Sequence, residues 1–213
     1  MKIALIGATG FIGSRVLEEA LNRGHEVTAI SRHTGKITVQ GKGLIPAEMD
    51  VYDSNALKLV LEGQDAVISA FNSGWRNPNL YMDYKRGYAS ILQTAKKANV
   101  KRLLVVGGAA SLILPTGERV YDVGIPDKFK LAVQSPLELL EELKEEKELN
   151  WSFISPALNL TNETKTGKFR LGKDHPVVDE KGENRISVGD LAIAILDEIE
   201  HPQFIRQRFT VGY

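Results

Sequence analysis

Near the start of the chain, Gly7-Ala8-Thr9-Gly10-Phe11-Ile12-Gly13 carries glycines at three-residue intervals. Ile3, Ala4, Leu5 and Ile6 before it form an apolar run suited to a buried strand. Ile12, Val16, Leu17, Ala20 and Leu21 after it recur at helical spacing as far as Gly24. Glycines between a strand and a helix let the chain turn, let backbone approach a ligand and let the two elements pack closely. The first helical turn offers unpaired N–H groups and the positive end of the peptide dipole, which suit a phosphate. The chemistry predicted is pyrophosphate binding, in a dinucleotide, by Gly7, Thr9, Gly10, Phe11, Ile12 and Gly13; a bare strand-to-helix turn is the structural alternative.

Further residues able to do chemistry fall where strands are predicted to end. His25 to Ser31 reads as the second strand and leads into Ser31-Arg32-His33. A carboxylate at this point suits a ribose 2′-hydroxyl, whereas an arginine suits a 2′-phosphate. Ser31 and Arg32 therefore predict NADP(H) as the preferred cofactor and NAD(H) as the second choice; a solvated loop arginine is the alternative. A third strand, Leu44 to Glu48, precedes Asp50, Asp53 and Ser54, any of which can cap the helix carrying Leu57, Val60 and Leu61. A fourth, Asp65 to Ala70, delivers Ala70, Phe71 and Trp75 to the carboxyl edge of the sheet, where ligands of open parallel sheets lie. Ala70 and Phe71 are placed against the cofactor, and Trp75 is either a stacking wall for a flat substrate or a loop aromatic. A fifth, Lys101 to Val106, ends in Gly107 and Gly108, which permit close approach of a ring, and Ser111 follows.

Tyr81 and Lys85 form a Tyr-x-x-x-Lys pair, but it precedes the fifth strand, on a helix running to Lys96 or Ala98, and reads as surface neighbours. After the fifth strand no such pair occurs, since Ile125 stands four residues beyond Tyr121; Tyr121, Lys128 and Lys130 could reach the site singly. Ser135-Pro136-Leu137-Glu138 has the form of a capping box, predicting a helix from there to about Glu148 that buries Leu137, Leu140 and Leu143. Trp151 to Ala157 reads as a sixth strand and its exit. Short strands are predicted at Gly167–Gly172 and Arg185–Val188. A helix capped by Asp190 or Ser187 follows, and Phe209–Val211 reads as a closing edge strand.

The 213 residues suffice for a single domain, 1–213, with residues 157–188 as a small substrate-side lobe. Charged residues make up 25% and balance to zero, which argues against nucleic acid as a partner. The absence of cysteine excludes disulfides, thiolate metal sites and a cysteine nucleophile; no metal is expected. No apolar run approaches bilayer length, and the glycine turn interrupts what would be a signal peptide's apolar region. A cytoplasmic protein acting on a small-molecule acceptor, away from membranes, is expected.

Strands alternating with helices predict an α/β fold: a doubly wound parallel sheet with helices on both faces. Four stretches carry a resemblance over nearly the whole chain: Gly-Ala-Thr-Gly-Phe-Ile-Gly, Val-Val-Gly-Gly-Ala-Ala-Ser, Trp-Ser-Phe-Ile-Ser-Pro-Ala, and Thr-Gly-Lys-Phe-Arg-Leu-Gly through Ile-Ser-Val-Gly-Asp-Leu-Ala. Together they resemble the atypical short-chain dehydrogenase/reductases, in the NmrA-like group described as NADH-flavin reductases, and are similar to biliverdin reductase B. The resemblance implies an NAD(P)-binding Rossmann fold with Asp50 and Val51 beside the adenine. It implies Ser111 as the active-site serine, with a turn or cap residue as the structural alternative. Pro156, Ala157 and Leu158 would close over the nicotinamide, with Asn159 in reach of the substrate. The activity implied is NAD(P)H-dependent hydride transfer to a flat acceptor such as a flavin or quinone, the flavin being a substrate and not a bound group. A non-catalytic NmrA-like redox sensor is the alternative. An NAD-dependent epimerase or dehydratase fits less well, because it needs a placed base for a hydroxyl proton.

Overall fold

β-branched apolar runs alternate with amphipathic ones along the chain, and strands alternate with helices in step. The computed structural model describes residues 1–213. Its first half runs β1 (Lys2–Ile6), α1 (Phe11–Asn22), β2 (Glu26–Ser31), β3 (Leu44–Glu48), α2 (Ser54–Leu61), β4 (Ala66–Ser69), α3 (Leu80–Lys97) and β5 (Arg102–Val106). The second half runs α4 (Val120–Val123), α5 (Asp127–Glu145), β6 (Asn150–Ser155), β7 (Asn159–Thr161), β8 (Arg170–Gly172), β9 (Arg185–Ser187), α6 (Val188–Glu200) and β10 (Gln207–Gly212).

Eight strands form one sheet in the order β3-β2-β1-β4-β5-β6-β10-β8, parallel throughout except for β8, which runs antiparallel to β10. Both faces are covered. Val16, Leu17, Leu191 and Ile195 from α1 and α6 pack on one, and Leu57, Ile91, Leu140 and Leu143 from α2, α3 and α5 on the other. That double cover is why β5 is buried at all five positions and why Leu103 to Val106 read as a continuous apolar run instead of an alternating one. β1 pairs with β2 on one side and β4 on the other, so the winding direction reverses beside the glycine turn. No helix is long and apolar enough to cross a membrane.

The structure corrects several local readings. Ser135 and Pro136 do not start a helix: α5 begins eight residues earlier, after Pro126, and carries Pro136 in its interior. A capping box is a local signal; the helix runs through the proline, and Leu139, Leu140 and Leu143 bury the turns that follow it. Leu137 is only half-buried, and α5 stops at Glu145. β10 is not the edge: β8 lies outside it, paired from Thr210↔Gly172 to Gly212↔Arg170. Between residues 157 and 188, β7 and β9 pair with each other while β8 joins the main sheet. Ser187 is the cap of α6, accepting from Asp190 N, and the Asp190 carboxylate accepts from Thr166 N, Gly167 N and the Tyr213 hydroxyl.

Candidate active site

Gly7 leaves β1 at φ +84°, where a Cβ would lie 2.5 Å from the Ala70 carbonyl oxygen. Gly10 N donates to Gly7 O at 3.0 Å, and Ser14 N to Gly10 O at 2.9 Å begins α1. The N–H groups of Phe11, Ile12 and Gly13 precede that first helical bond, and no side chain caps them. The Thr9 and Ser31 hydroxyls lie 3.0 Å apart and tie the turn to the end of β2.

Two cavities open along the carboxyl ends of the strands and share Gly10, Ala70, Phe71 and Asn72, so that they make one cleft. The smaller, about 160 Å³, brings together Gly7, Thr9, Ser31, Arg32, Asp50 and Val51. The larger, about 710 Å³, passes the start of α1 and reaches the ends of β5 and β6. Phe11, Ile12 and Gly13 line it, as do Trp75, Gly107, Gly108, Pro156, Ala157 and Asn159. Ser111 and Tyr121 line neither cavity.

At the smaller end Arg32 is exposed at the rim. Asp50 accepts from Tyr52 N at 3.1 Å, while the capping of α2 falls to Asp53, which accepts from Ala56 N at 3.0 Å. A second guanidinium, Arg86 of α3, stacks 4.4 Å over the Tyr52 ring. Burial first, then Asp83 and Asp50, push the Tyr52 phenol above its ordinary pKa, against the pull of Arg86 and Arg32. Nothing in the local sequence signals this contact, since Arg86 occupies an ordinary helical position; neither Arg86 nor Tyr52 lines either cavity.

At the larger end Phe71 is wedged between Tyr52, Tyr84 and Tyr88, and a Cβ on Gly87 would lie 2.3 Å from its ring. The two glycines after β5 have different causes. A Cβ on Gly107 would meet the Phe153 ring at 1.9 Å, so core packing alone demands glycine there; one on Gly108 would meet only Pro136, at 3.9 Å. The Ser111 hydroxyl donates to Gly108 O at 3.2 Å and lies 2.9 Å from the Ser155 hydroxyl, in a buried pair that braces the Gly108 turn. Pro136, unexpected from the sequence at this place, lines the cavity too, as does Tyr84.

Tyr81 and Lys85 both reach across to Glu138 of α5, at 2.8 Å each, outside the cleft. Their hydrogen bonds to this carboxylate raise both pKa values, the reverse of what a proton-abstracting pair needs. No three His, Asp or Glu side chains gather into a metal-binding group. What the cleft does offer fits a dinucleotide: uncapped N–H groups for a pyrophosphate, Gly7 and Gly13 where any Cβ would collide, a basic rim at Arg32, and an apolar cavity beyond.

Comparison with known proteins agrees with that geometry. The model of a family described as NAD(P)H-binding matches residues 7–202. The uncharacterised protein YwnB of Bacillus subtilis is 39% identical over 99% of this chain and 98% of its own length. Among solved structures, a proposed epimerase from Bacteroides thetaiotaomicron is 45% identical, with a TM-score of 0.92 over 100% of this chain and 96% of its own. A proposed NADH-flavin reductase from Streptococcus pneumoniae is 34% identical, with a TM-score of 0.86 over 100% and 99%.

Proposed function

Since the chain belongs to this NAD(P)H-binding family, we propose that it is an NADPH-dependent reductase that passes hydride to a flat conjugated acceptor such as a free flavin or a quinone. The observation that carries this reading is the lining of the larger cavity. Of its 24 residues 15 are hydrophobic, and Tyr84 is its only ionisable side chain. Burial, with Tyr88 adding to it, raises the Tyr84 phenol well above its ordinary pKa, so it stays protonated and is a poor base. Alcohol oxidation and sugar epimerisation need a placed base for a hydroxyl proton. Reduction of a stacked ring needs mainly proximity and orientation.

The nicotinamide, when bound, supplies the hydride. The chain holds and orients. The N–H groups of Phe11, Ile12 and Gly13 take the pyrophosphate, and Arg32 with Ser31 takes the 2′-phosphate. Asp50 and Val51 flank the adenine, and Ala70 and Phe71 the second ribose. Pro156 and Ala157 close over the reactive ring, with Trp75 and Asn159 toward the acceptor. The apolar wall excludes water from the ring faces, and protons reach the reduced product from the open side of the cleft.

Anaerobic oxidation of NADPH with FMN and with a quinone, NADH running in parallel, tests this reading. Turnover that saturates with acceptor, and is faster with NADPH, is the result expected. NADPH binding with no turnover on any flat acceptor would assign the chain to the sensors instead.

A further inference from the structure

A single exposed apolar side chain, such as Leu59 on α2, is ordinary. Phe11, Trp75 and Leu158 are different, because three separate segments bring them to one place. They come from the start of α1, the loop after β4 and the exit of β6, and all three line the larger cavity. They are also 50%, 66% and 52% exposed, so they stand at its mouth. Helix α5 carries the apolar surface further out. Ala132, Val133 and Pro136 line the cavity, and Phe129 precedes them at the spacing i, i+3, i+4, i+7 that puts four residues on one helix face. The inner end of this stripe is Pro136, beside Gly108 at the end of β5; the outer end is Phe129, 44% exposed. Helical side chains lean toward the N-terminus, so Phe129 lies over the turn before it, toward Ile125, which lines the cavity as well.

We propose that the acceptor is a quinone whose flat ring carries a hydrocarbon chain, with the ring inside the cavity and the chain lying along α5 from Pro136 out to Phe129. The proposal rests on the flat-acceptor reading above and names the class of acceptor within it. The four side chains of the stripe carry no polar atom. A hydrocarbon chain therefore gains by leaving water there, whereas the hydroxyls of a ribityl chain would be left unpaired. Contacts to the chain are remote from the reacting ring and are the same before and during hydride transfer, so they lower KM and leave kcat where it is.

Anaerobic turnover of NADPH with three trimethyl-1,4-benzoquinones that differ only in the fourth substituent, methyl, butyl or hexyl, tests it. Alkyl groups are electronically alike, so the ring chemistry is held constant while the chain grows. The hexyl compound should have a KM at least about tenfold below the methyl one at similar kcat, since a fully buried methylene is worth about fourfold and an open stripe supplies part of that. Phe129→Ser should lose most of that gain and Phe129→Leu should keep it. Leu59→Ser, which removes an exposed apolar side chain that lines neither cavity, should keep it in full. The ratio of KM values within one variant does not depend on how much of that variant is folded. Equal KM for the methyl and hexyl compounds in wild type would overturn the proposal and leave the flat-acceptor reading standing. So would a chain-length gain that survives Phe129→Ser. Turnover of none of the three quinones would count against the flat-acceptor reading itself and take the proposal with it.

Discussion

A Cβ on Gly13 would lie 2.1 Å from the carbonyl oxygen of Gly7. Helix α1 thus rests directly on the backbone of the turn that leaves β1, and neither partner is a side chain that can swing away. Gly13→Ala should therefore cost about 3 kcal/mol or more, near the top of the range for overpacking, and should weaken NADPH binding because the Phe11 and Ile12 N–H groups move with the helix. Thermal melting and a cofactor titration read the two effects. A variant with wild-type Tm would show that α1 has room the structure does not provide.

Arg32 lies at the rim of the smaller cavity, beside Ser31. In the variant Arg32→Glu the charge is reversed where the 2′-phosphate is placed, and a carboxylate is supplied for a ribose hydroxyl. NADPH should weaken at least tenfold, about 1.4 kcal/mol, while NADH holds or improves. Equal weakening of both cofactors would remove Arg32 from 2′-phosphate recognition.

The Ser111 hydroxyl is engaged by Gly108 O and by Ser155, and Ser155 is fully buried with no other partner for its oxygen. Ser111→Ala strands that oxygen and should lower stability by about 1–3 kcal/mol. Turnover should fall modestly, through a loosened Gly108 turn. A large loss of kcat at unchanged Tm would instead put Ser111 in contact with the substrate, as the family resemblance implies.

Asp190 contributes to the acid limb of stability. Burial acts to raise its pKa, but hydrogen bonds from the Tyr213 hydroxyl and from Thr166 and Gly167 N–H outweigh it and hold the carboxyl below its ordinary 3.8. A carboxyl that is more acidic folded than unfolded adds stability above its unfolded value, and that contribution is lost as pH falls through the folded value. The window is therefore below 3.8. Asp190→Asn should lower Tm at neutral pH by roughly 4–8 °C, for a loss of about 2 kcal/mol, and should flatten the acid limb of a Tm-against-pH curve. An acid limb as steep as wild type would assign acid unfolding to other carboxylates.

What could be read from the residues beforehand was whatever local pattern and packing agree upon. β1, the glycine turn and α1 each point to the same element, and β3 falls on Leu44–Glu48 as the sequence predicts. α5 was misread because Ser135-Pro136-Leu137-Glu138 is a valid local start signal that tertiary packing overrides. β8 falls inside the short strand expected at Gly167–Gly172, but its pairing outside β10 is a long-range contact that no local periodicity marks. Within the cleft, residues at strand ends were legible because an open parallel sheet delivers its strand ends to one edge. Tyr84 is not. It comes from the body of α3, where Tyr84 and Tyr88 look alike in sequence, and only the packing of the helix sets Tyr84 along the cavity.

Hydride transfer itself is best tested in a single anaerobic turnover. The protein is loaded with NADPH and mixed with FMN or a quinone, and the run is repeated with NADPH deuterated at the reactive ring carbon. Acceptor-dependent oxidation that slows on deuteration is the result predicted. Tight NADPH binding with no oxidation by any flat acceptor would contradict the reductase and leave a dinucleotide-binding protein without the chemistry.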